Sequence, residues 1–99
     1  MASSPTIPLT TERDVKFALH THGVCVAGFA ITSGWNVVSR SGWIGTQEDG
    51  IGGHAVLLCY YDADGIGFQN SWLDWGVRGF GRMTWGQFLE QFMYGAVIE

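Results

Sequence analysis

The residues best suited to chemistry in this chain of 99 residues are a histidine and an asparagine, His54 and Asn70. His54 follows Gly52-Gly53 and opens an apolar segment, and Asn70 ends the next apolar segment along the chain. The Asp-Ala-Asp-Gly stretch at 62–65 separates the two segments and is typical of a turn, which predicts a β-hairpin. Both side chains then lie at the same end of that hairpin and are close enough to touch.

A histidine held by an amide carbonyl is the base half of a Cys-His-Asn triad, because the amide keeps the imidazole in one tautomer. Trp72, two residues beyond Asn70, is placed to shield such a hydrogen bond from water. A plainer interpretation is a polar pair that closes a β-hairpin. The spacing by itself favours this plainer interpretation, because single histidines and asparagines are common at strand ends.

The two cysteines, Cys25 and Cys59, are the candidate nucleophiles, and both lie in apolar runs. Such runs favour buried thiols over a disulfide or a metal pair, and no spaced set of zinc ligands is visible. By strand alternation Cys59 faces away from His54 and lies roughly 17 Å along the strand from it. A nucleophile must lie within hydrogen-bond reach of its base. We therefore expect packed core thiols, no metal site and no cofactor.

The pattern around these residues predicts an α+β domain, an antiparallel sheet or half-barrel with two short helices. Residues 1–10 are polar and contain two prolines, which predicts an N-terminal arm before a single domain at 11–99. Thr11 and Thr84 are the expected helix caps, and the second helix has an apolar face made of Trp85, Phe88, Leu89 and Phe92. Helices are predicted at 11–21 and 85–92, and strands at 24–31, 55–61, 66–71, 80–83 and 96–98.

Composition and charge exclude several classes of protein. A content of 46% hydrophobic and 14% aromatic residues excludes disorder. The sequence contains no run of about 18 apolar residues, so a membrane span is not expected. The five basic residues do not cluster, which argues against nucleic-acid binding. The first residues contain no basic start followed by an apolar stretch, so no secretory signal is visible. The lack of a visible secretory signal and the two free thiols together predict a cytoplasmic location.

Three segments carry more information than spacing. Gly53-His54-Ala55-Val56, then Phe68–Trp72, then Asp74–Phe80 resemble the His-Ala-Val, Asn-Ser-Trp-Gly and Trp-Gly-x-x-Gly-Tyr segments of papain-like cysteine peptidases, in the same order. Ser41-Gly42-Trp43-Ile44 is similar to the turn that precedes the histidine loop in that family. The resemblance covers about residues 11–98 and implies the β-rich, right-hand lobe. Three positions depart from the family pattern, since Leu73 and Tyr60 replace glycines and Phe80 replaces a tyrosine.

The resemblance also implies residue roles. His54 matches the general base of the family, Asn70 its orienting amide, and Trp72 the indole that covers them. Trp75 matches an aromatic residue on the leaving-group side of the cleft, and Gly53 is expected to support the site. The family's nucleophile lies on the other lobe, in a Cys-Gly-Ser-Cys-Trp type motif preceded by an oxyanion-hole glutamine. Neither motif occurs in these 99 residues.

Three functional hypotheses follow from this pattern. The first is a non-catalytic papain-like half-domain, an inhibitor or regulator that binds a protein partner or a second copy through the face carrying His54 and Trp72. Trp43, Trp72 and Leu73 are its expected binding residues. The alternative is one subunit of a split cysteine peptidase, which supplies the histidine and asparagine of the triad. The third is a degenerate remnant with a structural role.

Overall fold

The computed structural model describes residues 6–72 and 74–98. Within these residues six strands form one antiparallel sheet in the order β1-β6-β2-β3-β4-β5. This confirms the predicted α+β class with an antiparallel sheet and two helices. In chain order the elements are β1 (Thr6–Leu9), α1 (Glu12–His22), β2 (Cys25–Thr32), a 3-10 turn (Ser33–Asn36), β3 (Gly50–Tyr61), β4 (Gly65–Gln69), β5 (Phe80–Thr84), α2 (Trp85–Gln91) and β6 (Phe92–Ile98).

Helix α1 begins and ends at the residues that its sequence indicates. The Thr11 hydroxyl accepts a hydrogen bond from the Asp14 backbone N–H, which satisfies one of the free donors of the first turn. Gly23 ends the helix at φ 89°, a left-handed conformation that favours glycine. The buried face consists of Val15, Ala18 and Leu19.

Helix α2 carries the predicted cap but not the whole predicted apolar face. Thr84 and Gln87 form a reciprocal capping box, and Phe88 is fully buried. Leu89, predicted to pack inward, is 65% exposed. The helix ends at Gln91, because Phe92 is already extended and begins β6. Gln91, rather than Leu89, is buried.

The predicted N-terminal arm is wrong at Thr6–Leu9, which form the edge strand β1. This strand pairs antiparallel with β6, from Thr6 opposite Ile98 to Leu9 opposite Gly95. Leu9 is buried in the core, and an edge strand tolerates Pro8 because one side of its backbone has no strand to bond. Residues 1–5 of the predicted arm lie outside the described residues.

The predicted hairpin is present as β3 and β4. Its turn is held by the Asp62 carboxylate, which accepts from the backbone N–H groups of Asp64 and Gly65 at 2.9 and 3.1 Å. Strand β3 begins at Gly50, earlier than predicted, because its first residues pair with the end of β2. This longer strand carries the histidine in its interior rather than at its start.

The core lies on the face of the sheet that packs against α1 and α2. Its centre is aromatic, with Phe29, Trp35, Phe68 and Phe88 all at 0% exposure. None of the helices in residues 6–72 and 74–98 is both long and apolar enough to cross a membrane.

We expect Gly65→Ala to lower the free energy of unfolding by roughly 2–4 kcal/mol, because overpacking strains neighbouring backbone. A Cβ atom at Gly65 would overlap the carbonyl oxygen of Met83 on the paired strand. Urea unfolding followed by tryptophan fluorescence measures the effect. Gly50→Ala is the matched control, since a Cβ atom there meets nothing within 4 Å. Equal midpoints for the two variants would contradict this account.

Candidate active site

The structure brings His54 and Asn70 together. His54 lies on β3 and Asn70 directly follows β4, and the antiparallel pairing of these strands places His54 Nε2 2.6 Å from Asn70 Oδ1. Asn70 is 5% exposed, and its backbone N–H donates to the Gly79 carbonyl at 2.7 Å. The amide that holds the imidazole is thus anchored through its own backbone.

A third residue decides which imidazole nitrogen carries the proton. The backbone N–H of Ser71 donates to Asn70 Oδ1 at 2.8 Å, and because an N–H only donates, this atom of Asn70 must be the oxygen. His54 Nε2 therefore donates to the same oxygen and carries the hydrogen. In the neutral imidazole the lone pair then lies on Nδ1, which is the basic nitrogen.

Two tryptophans hold the ring of His54. Trp72 stacks on it, with ring centroids 4.7 Å apart and an angle of 27° between the planes. Trp35 contacts it edge-on at 6.1 Å, and Trp35 has no exposed surface. Trp35 is thus a core residue. Trp43, by contrast, is half-buried, with the Arg82 guanidinium 4.1 Å from its ring centroid.

Trp75 packs against the core side of the site, and its expected place on the leaving-group side of a cleft stays a prediction. It is only 8% exposed, stacks on Trp35 at 5.7 Å, and donates its Nε1–H to the Trp35 carbonyl. The absence of a side chain at Gly81 makes this possible, since a Cβ atom there would overlap the Trp75 ring. One edge of Trp75 still borders a surface cavity of about 570 Å³ that it shares with Asn70 and Trp72.

The other predicted site residues are less tightly connected to this centre. Gly53 pairs with Ala30 on β2, and a Cβ atom at Gly53 would meet only the Phe29 carbonyl oxygen, at 4.0 Å. Glycine at this position is therefore not required by any packing within the described residues. Leu73 lies outside them. Binding roles for Trp43 and Trp72 stay predictions.

The two cysteines are poor partners for His54. Cys25 pairs with Leu58 whereas His54 pairs with Phe29, so Cys25 lies four residues, or about 13 Å, along the sheet from His54. Burial, and then the neighbouring Cys59, raise the pKa of the Cys25 thiol to about 11. The β3–β4 register shifts at Cys59, which interrupts the strand alternation there. The Cys59 thiol is half-buried and donates to the Leu57 carbonyl at 3.3 Å.

We expect both thiols to resist alkylation at pH 8. Burial is the main cause that raises the pKa of each, and the thiolate is the reactive form. With a pKa of about 11, about one Cys25 thiol in a thousand is ionised at pH 8. Iodoacetamide labelling followed by mass spectrometry should modify Cys59 first, with rates that still rise above pH 9. Rapid labelling of Cys25 in the folded chain, as fast as in urea, would refute this prediction.

The site thus combines an oriented imidazole, a buried amide and an aromatic cover. Among residues 6–72 and 74–98, no group of three or more His, Cys, Asp or Glu side chains is arranged to hold a metal ion. Sequence reasoning missed the supporting role of Gln91, whose Oε1 accepts from Trp35 Nε1 at 2.8 Å and fixes that ring. An amide at a buried position of an otherwise apolar helix face was the available signal.

Comparison with solved structures identifies the fold. The chain superimposes on xylellain, a cysteine protease from Xylella fastidiosa, with a TM-score of 0.80 and 23% identity over 98% of its length. It superimposes on procathepsin B S9 from Trypanosoma congolense with a TM-score of 0.73 and 24% identity over 97% of its length. It spans 40% and 35% of these two proteins. No family model and no curated protein matches the sequence. The chain therefore has the fold of the papain-like cysteine proteases, over a stretch equal to less than half of such an enzyme.

Proposed function

We propose that this chain is the base-bearing lobe of a papain-like cysteine peptidase, which supplies His54 and Asn70 to a thiol carried on another polypeptide segment. The observation that carries the proposal is the 2.6 Å contact between His54 Nε2 and Asn70 Oδ1, with the amide orientation set by Ser71. A hairpin-closing polar pair does not need a defined tautomer, whereas a general base does.

The geometry is suited to proton transfer at Nδ1. Because Nε2–H is held by Asn70, a thiol that approaches Nδ1 can pass its proton to the ring, and the resulting imidazolium keeps its bond to Asn70. The thiolate then attacks a peptide carbonyl, and the imidazolium returns the proton to the leaving amine. Water hydrolyses the thioester with His54 as base. Trp72, stacked on the ring, limits competing hydrogen bonds from solvent.

The thiol must come from outside the described residues. Cys25 is too distant and has a pKa near 11, and Cys59 is also held protonated by burial. The family resemblance implies a cysteine on the opposite lobe. His54 and Trp72 are half-buried in this chain, so the imidazole is open to such a lobe from one side.

A non-catalytic binding module is the second candidate. It is supported by the same observation about the cysteines, since neither is an activated thiol within reach of His54. In this case the half-buried His54–Trp72 face binds a protein without any covalent step. The two candidates differ in whether His54 matters as a base or only as part of a surface.

A chimera tests the proposal. The matching 40% of xylellain is replaced by this chain, and the purified protein is treated with an active-site-directed epoxide and a fluorogenic peptide. We expect epoxide labelling of the xylellain cysteine and peptide hydrolysis. A chimera that is folded and monodisperse, yet neither labelled nor active, would favour the binding module.

A further inference from the structure

The hydrogen bond between His54 and Asn70 does not by itself fix the plane of the imidazole ring. The torsion about the Cβ–Cγ bond of a histidine has broad minima, so packing decides which ring angle is populated. Rotation about this bond swings the lone pair of Nδ1 through a wide arc, whereas Nε2 lies closer to the axis and keeps Asn70 Oδ1 within reach. A base whose free nitrogen must meet a thiol therefore needs a second constraint on its ring.

Two indoles supply that constraint. Trp72 stacks on one face of the imidazole, with the planes 27° apart, and Trp35 meets the ring edge-on, with the planes 87° apart. The two indoles also contact each other, at an angle of 69° between their planes. The ring of His54 thus lies in a slot with two walls. Trp72 is the half-buried wall, and Trp35 is the buried wall that the core can hold in place.

Trp35 is held by hydrogen bonds from two other elements. Its Nε1 donates to Gln91 Oε1 at 2.8 Å, and its carbonyl accepts from the Nε1–H of Trp75. Apolar contacts alone do not define how a flat ring is turned, because they are non-directional. A hydrogen bond is directional, since the N–H points at its acceptor. The bond to Gln91 therefore fixes how the indole is turned within the core.

The register of the sheet brings the end of α2 to this position. Phe92, the first residue of β6, pairs with Phe29 on β2, and Phe29 pairs with His54 on β3. Gln91 directly precedes Phe92, so the end of the helix lies beside the row of the sheet that contains the imidazole, two strands away. Trp35 spans this interval, with its ring packed against Phe29 as well.

The polar pair of Trp35 and Gln91 gives the core a defined orientation. Gln91 is 6% exposed and Trp35 is at 0%, so both partners of the bond lie inside the core. Replacing both partners of a buried hydrogen bond by apolar groups of the same shape can be nearly neutral for stability. A fully satisfied polar pair instead adds rigidity and selects one arrangement of the core.

We propose that Gln91 is a positioning residue for His54, which acts through Trp35 and sets the plane of the imidazole. In this arrangement Asn70 holds Nε2, the two indoles hold the ring angle, and together they define the direction of Nδ1. The effect on the ring is a property of the chain alone. Its catalytic consequence, that an incoming thiol meets an aligned Nδ1, rests on the proposed function.

The test is NMR of the His54 ring in the 99-residue chain with Gln91→Met, which keeps the length of the side chain but removes the acceptor. The stacked Trp72 shifts the carbon-bound ring protons of His54 upfield through its ring current. We expect this shift to fall by about half or more in the variant, since the ring then samples its broad torsional minima. A purely structural role would lower stability without moving this folded-state signal. An unchanged shift in a folded variant would overturn the proposal.

Two further variants decide the question if Gln91→Met does not fold, and Gln47→Met is the matched control because Gln47 is exposed. Gln91→Glu retains an acceptor of the same reach and should preserve the ring-current shift. Trp35→Phe removes the donor and should reduce it, and Gln91→Met added to Trp35→Phe should change it no further, because the pair acts as one unit. A Gln91→Glu chain that loses the shift, or a Trp35→Phe chain that keeps it, would refute the positioning role.

The xylellain chimera gives a second readout. Gln91→Met should lower kcat on the order of tenfold and leave KM within about twofold, because a misaligned base slows proton transfer rather than peptide binding. An active chimera with the same kcat in both forms would overturn the catalytic consequence. If the unaltered chimera is inactive while the His54 signals respond to Gln91→Met, the proposed peptidase role fails and the positioning of the ring is confirmed.

Discussion

His54→Ala is expected to reduce kcat/KM of the xylellain chimera by roughly a thousandfold or more, without loss of the folded state. The reason is that the proton acceptor at Nδ1 disappears, whereas His54 itself is only half-buried and contributes little apolar area. Epoxide labelling should fall in parallel, since it reports the ionised thiol. Circular dichroism and size-exclusion chromatography check the fold.

Asn70→Ala should have a smaller effect, on the order of tenfold to a hundredfold, because the base remains but loses its fixed tautomer and orientation. Asn36→Ala is the matched control, since Asn36 is the other asparagine of the chain and is exposed. A chimera whose activity survives His54→Ala would show that His54 is not the base. Equal losses for Asn36→Ala and Asn70→Ala would remove the orienting role.

Trp35→Ala is expected to lower the free energy of unfolding by about 3–5 kcal/mol, which is a large part of the stability of a small domain. The indole has no exposed surface, and its ring contacts Phe29, Phe68 and Trp75. Its loss leaves a cavity in the centre of the core and removes the support beneath His54. Urea unfolding monitored by far-UV circular dichroism measures the change.

Trp35→Phe separates packing from hydrogen bonding. It keeps an aromatic ring but leaves the buried Oε1 of Gln91 without a donor, which costs about 1–3 kcal/mol. Trp43→Ala is the matched control, since this half-buried indole is held mainly by the Arg82 guanidinium and should cost less. A Trp43 variant that is destabilised as much as Trp35→Ala would contradict the central position assigned to Trp35.

The local elements of the fold were predictable because local chemistry specifies them. A threonine cap followed by an acidic first turn predicts α1, and a threonine cap before residues with helical apolar spacing predicts α2. The Asp-Gly turn between two apolar runs predicts the β3–β4 hairpin. That hairpin alone places His54 and Asn70 within reach of each other, so the central contact of the site was also predictable.

Other features depend on partners that are remote in sequence. Thr6–Leu9 become a strand only because β6, at the far end of the chain, offers an unpaired edge. Cys59 departs from strand alternation because of a register shift between two strands, which no local pattern announces. Leu89 is exposed although its helical spacing indicates burial, and the buried position in the same helix belongs to Gln91, which bonds to Trp35.

The sequence by itself determined the helices, the hairpin and the closeness of His54 and Asn70, since these follow from caps, turns and residues a short distance apart. Only the tertiary structure decided which imidazole nitrogen is free, which tryptophans support the ring and which residue holds Trp35 in place. These properties arise from single atoms on separate elements, such as the Ser71 N–H on Asn70 and the Trp35 N–H on Gln91. Their geometry exists only once the chain is folded, because loop closure and packing bring those atoms together.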